Sequence, residues 1–327
     1  MRAVVLESYG EPDVLILRDV PDPAPGPEEA LIEVVATALN RADLLQRRGL
    51  YPGPQMDHEI PGMELSGRVV AGGARASMWQ PGDAVMAIVG GGAYAERIAV
   101  HERQLMAVPR GVAVADAAAI PEVWITAFDA LFLQGGLTSG RTALVHAGAS
   151  GVGTAAIQLA KAFGARVIVT ASAGKLARCR ELGADAAVDY ASEDFVAAAL
   201  EHTDGTGVDV VLDVIGGDYV ERNIDALAVR GRIVQVGTMG GGAASVNVGK
   251  LLPKRASIIG TVLRARPLEE KIALSRRFAT EVTPLFERGL LHPVIDRRYP
   301  LDRIADAHRA MEANENVGKI LVDVGSG

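Results

Sequence analysis

The apolar positions along this chain change their spacing three times. In the first third, short apolar runs at 30–36, 67–71 and 83–89 alternate with Gly- and Pro-rich turns. That pattern predicts an antiparallel, β-rich domain. Pro21, Pro23, Pro25 and Pro27 predict a surface loop within it. Near residue 116 the spacing turns helical over 116–134, and Pro121 inside that segment predicts a kink or a break. From 142 to about 261 continuous apolar runs alternate with amphipathic stretches. Strands are expected at 142–146, 166–170, 209–213, 232–236 and 257–261, with helices at 152–163, 174–182, 192–202 and 218–228. Such alternation predicts a parallel sheet covered by helices on both faces, the doubly wound architecture. The tail predicts helices at 268–288 and 302–313 and a last strand at 319–324, folding back onto the first domain.

One junction in the alternating region carries chemistry. Thr142 to Ile157 reads as a strand, a small-residue turn (Gly148-Ala149-Ser150-Gly151-Val152-Gly153) and a helix start. Small residues let a backbone approach a pyrophosphate, and a helix N-terminus offers N–H groups and a favourable dipole to it. A lone glycine motif is weak, but here the strand before it and the helix after it agree with it. Ser150, Gly151, Val152 and Gly153 are therefore candidate dinucleotide-binding residues. A tight turn with no ligand is the plain structural alternative.

The next strand distinguishes the two nicotinamide dinucleotides. An NAD site usually places Asp or Glu after it, on the ribose 2′-hydroxyl. This sequence reads Ala171-Ser172-Ala173-Gly174-Lys175 there, with no carboxylate to repel a 2′-phosphate. Ser172 can donate a hydrogen bond and Lys175 supplies a cation, so NADPH is the expected cofactor. A solvated helix-start lysine is the alternative reading of Lys175.

Composition narrows the classes further. Hydrophobic residues make up 49% of the 327 residues, which excludes a disordered chain. The net charge is −7 without a basic run, so nucleic acid is not an expected partner. Cys179 is the single cysteine, which excludes an internal disulfide and a multi-thiolate zinc site. The N-terminal residues read as a strand rather than a signal peptide, and no apolar stretch reaches membrane-spanning length. A soluble, cytoplasmic protein is expected.

Four stretches carry a family resemblance: Leu39-Asn40-Arg41-Ala42-Asp43-Leu44-Leu45-Gln46-Arg47-Arg48-Gly49-Leu50-Tyr51, Pro61-Gly62-Met63-Glu64-Leu65-Ser66-Gly67, the glycine turn, and Glu312-Ala313-Asn314-Glu315-Asn316-Val317-Gly318-Lys319-Ile320. With them the chain resembles the zinc-free quinone oxidoreductase branch of the medium-chain dehydrogenase/reductase superfamily, closest to its p53-inducible group. The resemblance implies a GroES-like β-rich catalytic domain (1–117 and 267–327) and a Rossmann domain (118–266). Zinc-dependent members carry a catalytic Cys near the place of Asn40 to Asp43 and a Gly-His-Glu segment. Here Met63 stands at the place of that His, and no four-cysteine lobe is present. No metal is expected.

By the same resemblance Ser150 replaces a family glycine, and Tyr190 joins Lys175 at the 2′-phosphate. Gly237, Thr238 and Met239 hold the nicotinamide half, and Arg264 and Asn316 face the cofactor. Asn40, Asp43 and Tyr51 lie on the segment facing the nicotinamide and are the catalytic candidates. In this role the Tyr51 hydroxyl bonds a substrate oxygen and Asn40 orients substrate or cofactor. The structural alternatives are a loop tyrosine for Tyr51, a helix-cap or surface carboxylate for Asp43, a half-buried core residue for Tyr190, a solvated Arg264 and a turn Asn316.

The function so implied is hydride transfer from NADPH to a quinone-type acceptor without a metal. One alternative is reduction of an activated C=C bond in an enal, enone or enoyl thioester. Another is a non-catalytic NADPH-binding structural or RNA-binding protein. A homodimer paired across the strand edge near 257–261 is expected.

Overall fold

The computed structural model describes residues 1–51, 53–54 and 57–325. It divides into two compact units, one of residues 1–125 and 264–327 and one of residues 126–263.

The second unit is built on six strands: β1 (Thr142–Val145), β2 (Arg166–Ala171), β3 (Ala186–Asp189), β4 (Val208–Asp213), β5 (Leu227–Gln235) and β6 (Ser257–Gly260). They lie in the order β3-β2-β1-β4-β5-β6, and every pairing is parallel. Thr142 to Val145 are all buried, as are Val167 to Ala171, which is why these strands read as unbroken apolar runs. The chain reverses direction across the sheet between β1 and β4. In open parallel sheets such a reversal leaves a crevice at the carboxyl ends of the strands, where ligands bind.

The strand β3 is absent from the apolar pattern. It is four residues long and two of them are alanine, a weak strand former. Its pairing with β2 specifies it, not its own propensity. The helix expected over 218–228 ends at Ala226, because Leu227 already pairs with Val208 as the start of β5. The segment 116–134 breaks where Pro121 requires it. Val114–Ala117 is one short helix, and Pro121 opens the next, Pro121–Phe128, where its missing N–H costs nothing.

In the first unit a seven-stranded sheet runs Ile295–Pro300, Lys319–Asp323, Glu29–Ala38, Glu64–Gly72, Ala84–Ile88 and Met106–Ala107, with Arg97–His101 also paired to Glu29–Ala38. The tail does return to this sheet. Lys319–Asp323 pairs antiparallel with Glu29–Ala38 and parallel with Ile295–Pro300. The helix expected over 268–288 is two, Leu268–Glu281 and Thr283–Glu287, divided at Val282 with Pro284 in the first turn of the second. Ile32, Val34, Leu65, Val85, Ile320 and Val322 form part of the core beneath this sheet. Among the described residues no helix is long and apolar enough to cross a membrane.

The short helix Arg41–Arg47 follows directly from the strand Glu29–Ala38. Its start is closed by Asp43, whose Oδ2 accepts the Asn40 N–H at 2.8 Å. This is the reciprocal half of a capping box. The carboxylate is fully buried. Burial pushes its pKa up to about 6, against the pull of the Asn40 N–H and of Lys319. A carboxyl raised in the folded state holds a proton that the unfolded chain has lost between about pH 4 and pH 6, so its contribution to stability falls as pH rises through that window. Asp43→Asn keeps an acceptor for the cap and removes the titration. The stability difference between variant and wild type should shift in favour of the variant by on the order of 3 kcal/mol from pH 4 to pH 7. Denaturant unfolding of both proteins across that range measures it, and parallel curves would contradict it.

Candidate functional site

The glycine turn joins β1 to the helix Gly151–Ala162. Ser150 is the residue that caps this helix: its Oγ accepts the Gly153 N–H at 3.0 Å, and its own backbone is extended. A side chain is therefore tolerated at 150 without strain, and the residue that replaces the family glycine does capping work. The close approaches are made elsewhere. A Cβ on Gly153 would lie 2.3 Å from the Ala147 carbonyl oxygen and 2.5 Å from that of Gly148. A Cβ on Gly148 would lie 2.6 Å from the Cβ of Val169 on β2. Gly151 and Val152 head the helix, where orphan N–H groups and the helix dipole favour an anion. These residues suit a pyrophosphate.

The register of β2 and β3 brings two of the three expected 2′-phosphate contacts together. Asp189 pairs with Ala171, so Ser172 and Tyr190 are the next residues on adjacent strand ends. The Tyr190 N–H donates to the Ala171 carbonyl at 3.3 Å. The Tyr190 side chain is 53% exposed, which rules out a core role for it. Lys175 closes the one-turn helix Ala173–Lys175 that follows Ser172. The nearby Asp189 carboxylate is turned into its own loop, accepting from Ala191 N at 3.1 Å and Ser192 Oγ at 2.8 Å. Gly237, Thr238 and Met239 lie past the end of β5. Their loop is knitted to the one after β4, with Met239 N donating to Val214 O at 3.2 Å and Gly240 N to Ile215 O at 2.7 Å.

A buried polar chain, invisible in the sequence pattern, braces these loops. His146 accepts from Thr170 Oγ1 at 3.0 Å through Nδ1 and donates through Nε2 to Asn223 Oδ1 at 2.7 Å. Asn223 donates to Asp213 Oδ2 at 2.9 Å, and Asp213 Oδ1 takes the N–H groups of Ile215 and Gly216 at 2.6 and 3.0 Å. Because Asn223 gives its Nδ2 to Asp213, its Oδ1 faces His146 and Nε2 carries the proton; burial lowers the His146 pKa, which favours the neutral ring whose Nδ1 accepts from Thr170. The chain ties together the carboxyl ends of β1, β2 and β4.

The first unit gathers the other candidates. Pairing of Thr37 with Leu65 and of Ala38 with Leu321 sets Glu64 and Lys319 beside Leu39 and Asn40. The Lys319 ammonium lies 2.8 Å from Glu64 Oε1, and the two side chains are 3% and 0% exposed. Asn40 Nδ2 donates to Glu64 Oε1 at 2.9 Å and to the Ala38 carbonyl at 3.3 Å, while its Oδ1 accepts from Lys319 at 2.7 Å. Both Asn40 donors are thus committed inside the protein. Asp43 is the buried helix cap described above, not a surface carboxylate.

Tyr51 and Arg264 face each other. The guanidinium carbon lies 4.9 Å from the Tyr51 ring centroid. Arg264 is held by Nε donating to Gly90 O at 2.6 Å and Nη2 to Gln46 Oε1 at 2.8 Å. Burial raises the Tyr51 pKa, outweighing the pull of the Arg264 charge, so the hydroxyl stays protonated and able to donate. Asn316 sits in the turn before the strand Lys319–Asp323, its Nδ2 donating to Gly318 O at 2.8 Å. Among the described residues no group of three or more His, Cys, Asp or Glu side chains could hold a metal ion. Lys319, Glu64, Gln46 and His146 were not singled out by sequence. Their only signal is a charged or polar residue at the end of an apolar run, which has meaning only once its partner is known.

Gly153→Ala tests the turn. The added methyl has no room, so dinucleotide affinity should fall about tenfold or more, equivalent to about 1.4 kcal/mol. Fluorescence titration with NADPH measures it, and an unchanged Kd in a folded variant would contradict it.

Comparison with known proteins agrees with this geometry. A model described as zinc-binding dehydrogenase matches residues 151–279, and one described as alcohol dehydrogenase GroES-like domain matches residues 26–110. The quinone oxidoreductase of Pseudomonas aeruginosa is 34% identical over 98% of this chain and 99% of its own length. The synaptic vesicle membrane protein VAT-1 homolog of Rattus norvegicus is 33% identical over 98% of this chain and 84% of its own. Among solved structures, Escherichia coli quinone oxidoreductase complexed with NADPH superposes with a TM-score of 0.89 at 28% identity, covering 99% of this chain and 100% of that one. The apo form of JamJ enoyl reductase gives 0.89 at 27% identity, covering 99% of each chain. The chain is an oxidoreductase that belongs to the medium-chain dehydrogenase/reductase superfamily, in its quinone oxidoreductase branch.

Proposed function

We propose that this chain is an NADPH-dependent reductase that passes hydride to quinone-type acceptors without a metal. The observation that carries the reading is the donor set around Asn40. By resemblance, zinc enzymes of the superfamily carry ligands near Asn40 to Asp43 and at the place of Met63. Here that neighbourhood holds the Lys319 ammonium, bonded to Asn40 and paired with Glu64. An amide, a carboxylate and an ammonium bonded to one another do not fit the Cys and His donor set of a catalytic zinc, which supports the metal-free reading.

The reduced nicotinamide supplies the hydride. The residues of the chain bind, orient and exclude water. Ser150 to Gly153 take the pyrophosphate, Ser172, Lys175 and Tyr190 the 2′-phosphate, and Gly237 to Met239 the nicotinamide half. Arg264 and Asn316 complete the cofactor contacts. A quinone is a strong acceptor and needs little polarisation, which the protonated Tyr51 hydroxyl provides by donating to its oxygen. Asn40 and Asp43 act behind Tyr51 by fixing the segment that carries it. The hydride and one proton convert the quinone to its hydroquinone, and solvent is sufficient as the proton source.

Reduction of an activated C=C bond is the second reading, favoured by the likeness to an enoyl reductase. It requires a proton at the α-carbon, for which Tyr51 is the available donor. The protein is proposed to act in the cytoplasm as a homodimer. The outer strand β6 leaves Ser257, Ile258 and Gly260 exposed, as an edge paired with a second copy requires.

Two measurements test the reading. Benzoquinone, phenanthrenequinone, an enone and an enoyl thioester should be assayed side by side with NADPH. The quinones should turn over, and reduction of the enoyl thioester alone would overturn the first choice. Lys175→Ala should raise the Kd for NADPH about tenfold, equivalent to about 1.4 kcal/mol, and leave that for NADH unchanged. Equal affinities in variant and wild type would overturn the phosphate assignment.

A further inference from the structure

Lys319 is a buried charge that hydride transfer does not itself consume. Its ammonium meets three oxygens: Leu39 O at 2.6 Å, Asn40 Oδ1 at 2.7 Å and Glu64 Oε1 at 2.8 Å. Three acceptors match the three donors of an ammonium, so its orientation is set. Glu64 is engaged at both oxygens, its Oε2 accepting the Glu122 N–H at 2.8 Å. A buried ion pair contributes little to stability, because desolvation offsets the Coulomb attraction. What this one does is hold geometry. Leu39 and Asn40 are the last residues before the helix Arg41–Arg47. That helix presents Gln46 to Arg264 at 2.8 Å, and Arg264 faces the Tyr51 ring. One line of contacts therefore runs from Lys319 through Asn40, the helix, Gln46 and Arg264 to Tyr51.

We propose that Lys319, paired with Glu64, is a positioning residue for the hydride acceptor: an internal ammonium that fixes Asn40 and the helix after it, and through Gln46 and Arg264 the place of Tyr51. The proposal rests on the reading of Tyr51 as the acceptor-side donor. It assigns the pair to acceptor placement and not to the cofactor.

Lys319→Met alone strands the Glu64 charge in the interior and threatens the fold. The test is therefore the double variant Glu64→Gln/Lys319→Met, which removes both charges together, with Lys319→Arg as the conservative variant. Three quantities are read: hydrogen exchange in peptides spanning 39–51, the Kd for NADPH, and kcat and KM for benzoquinone. The double variant should fold and bind NADPH as wild type does. It should exchange faster over 39–51 and lose kcat/KM about tenfold or more, the scale of a small misplacement. Lys319→Arg should recover most of that loss. Unchanged exchange and unchanged kcat/KM would overturn the proposal. So would a rise in the NADPH Kd matching the loss in kcat/KM, or a double variant that fails to fold, since the pair would then serve the cofactor or stability. If wild type reduces no quinone, the functional reading fails by itself. The exchange comparison still decides whether Lys319 holds 39–51.

Discussion

The absence of two Cβ atoms is the constraint on which the cofactor side depends. Gly153 and Gly148 let the first helical turn, the end of β1 and the side of β2 converge to distances that no side chain allows. The head of Gly151–Ala162 thus follows directly on β1, where the strand order reverses, the place at which helix N–H groups in such sheets meet an anion. The capping bond of Ser150 fixes the helix start, and the chain from Thr170 through His146 and Asn223 to Asp213 fixes the loops on either side. Every polar side chain named in this chain has its partner in the interior.

The other unit solves a different problem with charges. Strand pairing carries Glu64 and Lys319 to one end of a sheet, where they meet the segment that begins the helix Arg41–Arg47. Asp43 lies within the same neighbourhood, and Lys319 is one of the groups that keep its pKa from rising further. The reactive surface proposed here is thus a neutral tyrosine and an arginine carried on a frame of buried charges. In the proposed reading such a frame serves an acceptor that is already electrophilic and needs no Lewis acid.

Much of this was legible in the sequence. The alternation of apolar runs and amphipathic stretches indicated the parallel sheet, and Pro121 marked the break within 116–134. The missing carboxylate after β2 is the sequence feature behind the proposed preference for a 2′-phosphate, and the strand register sets Tyr190 beside Ser172. The rest depends on partners distant in sequence. Ala186–Asp189 is a strand because β2 lies beside it. Leu227 leaves its helix because Val208 pairs with it. Asn40 carries a polar side chain in a motif-like stretch and so invited a direct role with substrate, yet Lys319 and Glu64, 279 and 24 residues away, take up its amide. Asp43 reads equally as catalytic or capping until its burial is known.

The central claim is that hydride passes from NADPH to an acceptor with no metal taking part. Single-turnover oxidation of NADPH deuterated at C4 of the nicotinamide ring, with benzoquinone as acceptor, tests it most directly. It should be run on protein as purified and on protein treated with a chelator, with the zinc content of each measured. The account predicts stoichiometric oxidation, a primary isotope effect, and the same rate in both samples. A rate that follows zinc content, or no oxidation at all, would contradict it.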